Sequence, residues 1–259
     1  INFDGRPTFY PGTYNSANKQ GGFPYGKYPP IDDYYYFLHG VFEHWRLTHD
    51  RTFIQSPVKT AWTEMPLATL CQRVYAAPPS EDGLCISGDI ATENAKDFGF
   101  CDAVSKSGKL LFPSLLKYVA ARQLAQLLPG KARFYEDDAR RIRRAIVSTF
   151  FHNGWLHSAT GVGNQPDIWG TAYAVWCGAV DGKLARTLGR SLARAYRDGT
   201  AGREGCVRHT FGNWESALSK PGDYQNVGYW GTPVGWYLTA VARADFATAR
   251  AMASDYVKF

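Results

Sequence analysis

No run of about 18 apolar residues occurs anywhere in this 259-residue chain, so nothing in it reads as a membrane span. The 5 cysteines (Cys71, Cys85, Cys101, Cys177, Cys206) include no CxxC pair, which speaks against a metal site and allows at most two disulfides. His39, His44 and His49 recur every five residues, a spacing that scatters them around a helix instead of aligning them as ligands. Lys106 and Lys109 flank Gly108 without a GxxxxGK[ST], so no phosphate loop is present, and neither a metal nor a cofactor is expected. A continuous basic tract is also missing. The net charge of +6 comes largely from arginines interleaved with apolar positions on two helices, which excludes a nucleic-acid partner. No N-terminal stretch reads as a signal peptide, and the chain opens on Ile1 inside an apparent loop, which points to a processed or truncated product.

What the chain has in quantity is aromatic rings, 8 Trp and 16 Tyr among them, many beside Gly, Asn or Pro. Rings on rigid loops stack on sugars or bases, and they also staple loops together. Residues 1–30, rich in Gly, Pro, Tyr and Asn, form one long loop or lid. Pro29-Pro30 ends it, and Asp32 or Asp33 caps a helix running to about His49. A second helix is expected from about Val58 to Tyr75, and a long loop from Ala77 to Lys109. An apolar helix from Leu110 to Leu128 precedes an amphipathic one from Arg133 to Phe151. The apolar helix from Pro166 to Cys177 precedes a basic amphipathic one from Lys183 to Arg197, and an aromatic helix from Tyr229 to Ala242 precedes a last one from Phe246 to Val257.

Long loop, apolar helix, short turn and amphipathic helix therefore recur four times. That order predicts an all-α chain of stacked helical hairpins, an α/α toroid in a single domain with apolar helices inside. A helix apolar all round must be buried on every side. The polar starts of the inner helices, carrying Asp33, Asp102, Asp167 and Asn226, are expected to converge on one rim.

The phrases Asp4-Gly5-Arg6-Pro7, Gly26-Lys27-Tyr28-Pro29-Pro30-Ile31-Asp32-Asp33, Gly99-Phe100-Cys101-Asp102, Pro166-Asp167-Ile168-Trp169-Gly170-Thr171-Ala172 and Tyr224-Gln225-Asn226-Val227-Gly228-Tyr229-Trp230-Gly231-Thr232-Pro233 carry a resemblance. They resemble the six-hairpin glycosidases, the (α/α)6-barrel hydrolases that include debranching, trehalase-like and α-L-rhamnosidase-like enzymes. The resemblance implies six hairpins where four are legible. Either the first two are missing, a second chain supplies them, or the molecule is an open crescent.

It also implies glycoside hydrolysis, in general with inversion, by an acid and a base about 6.5 to 9.5 Å apart. Asp102, flanked by Phe98, Phe100 and Cys101, is the expected acid; Asp167 is the expected base or a ligand of sugar hydroxyls, and Asp33 stands third. Each is also a natural helix cap. Trp169, Tyr229 and Trp230 can face sugar rings, while Gln225, Asn226, Arg208, His209 and Lys109 can bond hydroxyls of a carbohydrate substrate. Asp102 and Asp167 are expected outside the packed core, and Trp169 is expected to matter more for binding than for stability. Two alternatives stand beside the hydrolase: a polysaccharide lyase using Tyr14, Tyr229 and His209, and a non-catalytic carbohydrate-binding subunit.

Overall fold

The computed structural model describes residues 31–59, 64–87, 104, 106–214 and 220–258. Among them are eight α-helices in consecutive pairs: α1 (Ile31–Thr48) with α2 (Leu67–Ala76), α3 (Leu111–Leu127) with α4 (Ala132–Phe150), α5 (Ile168–Trp176) with α6 (Gly182–Arg197), and α7 (Val234–Ala242) with α8 (Phe246–Lys258). The first members form a row. α3 packs on α1 and α5, and α7 packs on α5, while α4, α6 and α8 back them from behind.

Burial follows the sequence pattern. Every residue of α5 from Ile168 to Val175 is buried, as the absence of a polar face requires. On α4, Tyr135, Ala139, Ile142, Ile146 and Phe150 are buried at helical spacing, so one stripe faces the core and the arginines face solvent. α6 does the same with Ala185, Leu188, Gly189, Leu192 and Ala193. No helix of the described residues is long and apolar enough to cross a membrane.

Gly189 sets the spacing between the two layers. A Cβ there would stand 2.5 Å from the Ala240 carbonyl oxygen on α7, a backbone atom that cannot step aside. Gly189→Ala should therefore force α6 and α7 apart and lower stability by about 1–3 kcal/mol in denaturant unfolding. An unchanged midpoint would show that the helices separate without cost.

Two expected helices are corrected. Val58 to Tyr75 is not one helix: Pro57–Lys59 (β1) pairs antiparallel with Glu64–Pro66 (β2), and α2 starts only at Leu67. Pro66 inside a helix would remove a hydrogen bond and clash with the preceding turn, so the helix waits until it is passed. Likewise Tyr229–Trp230 is a short strand (β10), and α7 begins at Val234, directly after Pro233. In α1 the acids stand inside the first turn, with Ile31 ahead of them, not at the cap.

The segments read as bare loops hold hairpins. Ser80–Glu81 (β3) and Leu84–Ser87 (β4) are joined by Asp82-Gly83, Phe151–His152 (β6) and Trp155–Leu156 (β7) by Asn153-Gly154, and Gly202–Arg203 (β8) and Cys206–Arg208 (β9) by Glu204-Gly205. All six turn residues have positive φ, from 47° to 88°, the geometry of a two-residue turn whose twist matches its strands. Gly108–Lys109 (β5) adds a third strand to β4, and β10 adds one to β9. These small sheets lie at the starts of α3, α5 and α7 and fix the loops there. Cys71, Cys85, Cys177 and Cys206 are free thiols, and Cys177 is half-buried; Cys101 lies outside the described residues.

Candidate functional site

The start of α5 gathers the chemistry. Asp167 precedes the helix in extended conformation, and its Oδ1 accepts the Gly170 amide at 2.7 Å, so it is the N-cap the sequence predicts. It does more than cap. The same Oδ1 lies 3.3 Å from His209 Nε2, which the β8–β9 hairpin delivers one residue past its last strand position. His209 is sandwiched: Trp169 stacks on it at 4.6 Å with rings 18° apart, and Trp214 leans on it at 4.9 Å. Lys106 completes the group, its Nζ 5.0 Å above the Trp214 ring.

The group is closed from water. Asp167 is 0% exposed and His209, Lys106 and Trp169 are each 1% exposed. This corrects the expectation that Asp167 stands outside the packed core, and it makes Trp169 a core ring. The reason is local: the indole needs apolar cover, and the α5 start has no exposed face to offer.

Charge states follow from these contacts. Burial alone would push the Asp167 carboxyl up, but His209, Lys106 and the Gly170 amide outweigh it and hold the group below the ordinary carboxylate value. Burial, reinforced by Lys106, pulls His209 below its ordinary value, and Asp167 does not fully compensate. At neutral pH the pair is thus a carboxylate accepting from a neutral imidazole. Asp167 Oδ2 and Lys106 Nζ are buried with no hydrogen-bond partner among the described residues. An unmet acceptor and an unmet donor in one buried group cost free energy unless a ligand or water uses them.

Both shifts point the same way for stability. Each folded-state pKa lies below its unfolded value, so the unfolded chain binds more protons and the contribution is complete above about pH 6.5. It is lost on acidification, through His209 first and through Asp167 below about pH 4. The melting temperature should fall as pH drops from about 7 to about 4, and His209→Gln should flatten the upper part of that curve. A wild-type profile level between pH 7 and 5 would contradict the assignment to His209.

Around the buried group runs an aromatic rim. Strand register sets Tyr229 opposite Arg208 and Trp230 opposite Val207. The Arg208 guanidinium donates to the Tyr229 hydroxyl and lies 4.5 Å over its ring. Trp230 meets Trp169 edge-on at 6.1 Å and Tyr224 at 5.0 Å, and its indole N–H donates to the Tyr224 carbonyl.

The remaining expected residues divide. Asn226 does not offer its amide to solvent: it is fully buried and clamps Trp214, accepting from its backbone N at 2.7 Å and donating to its carbonyl at 2.9 Å. That staple replaces the expected bond to a substrate hydroxyl. Gln225 is buried beside it. Lys109 is held by Asp82 at 2.7 Å and Glu81 at 3.0 Å, so its ammonium belongs to the β3–β4 turn. Asp33 is half-buried in α1. Asp102 and Tyr14 lie outside the described residues.

Two residues that sequence reasoning did not select belong to the group, Lys106 and Trp214. Lys106-Ser107-Gly108 was legible only as a failed phosphate motif, and nothing local marks an ammonium that ends up buried.

A second feature lies between the first helices of the four pairs. The four helices α1, α3, α5 and α7 enclose a hollow of about 380 Å³, bordered by Tyr36, Gln123, Tyr173, Trp176 and Trp236. Asp32 shares a helix face with Tyr35, Tyr36 and His39, three, four and seven residues on, and Asp33 with Tyr36, three residues on; these three rings border the hollow. No group of three or more metal-ligating side chains occurs among the described residues.

No family profile matches the chain, and no curated protein does. Among solved structures, a rhamnosidase from Klebsiella oxytoca with rhamnose bound superposes with a TM-score of 0.53 at 11% identity, over 86% of this chain and 37% of that one. The likeness is of fold alone, a predominantly helical one. The chain spans little more than a third of the length of that structure.

Proposed function

We propose that this chain forms part of an α/α toroid that hydrolyses a glycosidic bond of an oligo- or polysaccharide, without a metal and with inversion. One observation carries the reading: on a glycosidase-like fold, the start of the inner helix α5 holds an ionised carboxylate with an unmet oxygen, beside a buried ammonium and three indoles. A depressed pKa keeps Asp167 ionised at neutral pH, so of the two carboxyl roles it takes that of the base and not that of the proton donor. In this role it takes a proton from water while the water oxygen bonds to the anomeric carbon. Asp102 gives its proton to the departing oxygen as the glycosidic C–O bond breaks.

His209, by donating to Oδ1, fixes the carboxylate orientation and leaves Oδ2 for the water. Lys106 stabilises the anion and donates to a sugar hydroxyl. Because the carboxylate is closed from solvent, substrate enters by displacing the rim of Trp230, Tyr224 and Tyr229. Further hairpins, from the same chain or a second one, would complete the ring.

The test is hydrolysis of a panel of 4-nitrophenyl glycosides, with the anomer released followed by proton NMR. At least one glycoside should be cleaved to the inverted sugar. Failure of every glycoside would overturn the hydrolase reading. The complete burial of Asp167 favours one other reading, a subunit that binds carbohydrate without cleaving it. Saturable sugar binding with no product would establish that instead.

A further inference from the structure

The hollow between α1, α3, α5 and α7 is separate from the Asp167 group, and its lining is selective. Its walls are ring faces: Tyr173 and Trp236 meet at 4.8 Å, and Trp176 joins Tyr173 at 5.2 Å. At the mouth, Trp176 is 45% and Tyr36 40% exposed, large rings left open to solvent.

Gln123 lies in this wall and is 7% exposed. Its Nε2 is engaged with His39 Nδ1 at 2.7 Å, which fixes the orientation of the amide. Its Oε1 is buried and has no hydrogen-bond partner among the described residues. A buried amide oxygen with no donor costs free energy, and the residue that would satisfy it must bring an O–H or N–H into an aromatic chamber.

Charge narrows the choice further. Arg122 is the only lysine or arginine among the described lining residues, and it stands at the exposed edge: its Nη1 donates to the Cys177 carbonyl at 3.3 Å and the guanidinium lies 5.6 Å over the Tyr118 ring. An anion seated against the rings and Gln123 Oε1 would find no buried cation there. Ring faces, one fixed acceptor and no buried charge describe a site for a neutral, hydroxylated ring. A volume of about 380 Å³ falls within the range of small-ligand pockets, about 300–1,000 Å³.

We infer that this hollow is a second ligand site, taking an uncharged sugar ring whose faces stack on Trp176 and Trp236 and whose hydroxyl donates to Gln123 Oε1. The site stands on the rings and the amide, independently of any hydrolysis at Asp167.

Isothermal titration calorimetry with methyl α-D-glucopyranoside, methyl α-L-rhamnopyranoside and the charged comparator methyl α-D-glucuronide tests it. At least one neutral glycoside should bind saturably, with the glucuronide weaker. Gln123→Leu, which keeps the volume and removes the acceptor, should weaken binding about tenfold. Trp176→Ala, at the exposed mouth, should weaken it as well, so the test survives if the Gln123 variant folds poorly. Two results would overturn the inference: no saturable heat from either neutral glycoside, or heat indifferent to both Gln123→Leu and Trp176→Ala. A change of mass in solution that buries the mouth against a second copy, with no sugar binding, would likewise assign the hollow to assembly.

Discussion

Asp167→Asn should reduce glycoside turnover by about 10²- to 10⁴-fold, the span expected for losing a positioned base. The amide retains an oxygen for the Gly170 N–H, so α5 stays capped. What it loses is the negative charge, and Lys106 is then a buried cation facing no anion. Removing one member of a buried charge pair costs about 3–5 kcal/mol, so stability should fall along with turnover. The two effects separate in a double variant. Adding Lys106→Met to Asp167→Asn removes the orphaned charge and should recover much of the stability, while turnover stays low. Recovery of turnover in the double variant would mean that Asp167 serves the fold and not the reaction.

Trp169→Ala should destabilise the protein by about 3–5 kcal/mol, read from denaturant unfolding, and this exceeds any loss in sugar binding per se. The indole is 1% exposed, stacked on His209 and abutted by Trp230, so its removal leaves a cavity beside the carboxylate. His209 would lose its stacking partner and gain water, which relaxes the burial that keeps it neutral. The ranking is the reverse of the one the sequence invites, in which Trp169 lies exposed to substrate. A stability change under about 1 kcal/mol would return the ring to the surface.

The helices were legible because periodicity reports burial directly. α3, α4, α6 and α8 lie within one or two residues of their expected bounds, since apolar spacing decides where each can sit. Proline decided the misplaced ones. Pro66 and Pro233 lie inside stretches whose composition reads as helical, and each delays its helix to the residue that follows. Asp82-Gly83 and Asn153-Gly154 are turn signals in the sequence, but the strands they join are only two to four residues long, too short to show an alternating pattern.

The site was half legible. Asp167, Trp169 and His209 were selected for their types and neighbourhoods, and they do meet, although His209 comes from 42 positions further along the chain than Asp167. Their burial was not legible, because a carboxylate at a helix start reads the same whether it faces solvent or a buried imidazole. Lys106 and Trp214 had no local signal at all, since their positions depend on how the loops before α3 and α7 close over α5. Asn226 was chosen as a hydroxyl ligand for its chemistry, and the backbone of Trp214 uses that chemistry instead.

A crystal structure of the protein soaked with the glycoside it turns over best addresses the account most directly. The account predicts a sugar hydroxyl or an ordered water within hydrogen-bond distance of both Asp167 Oδ2 and Lys106 Nζ, with the Trp230 rim displaced to admit it. Sugar bound only in the hollow between α1 and α7, with the Asp167 group still sealed and dry, would contradict it.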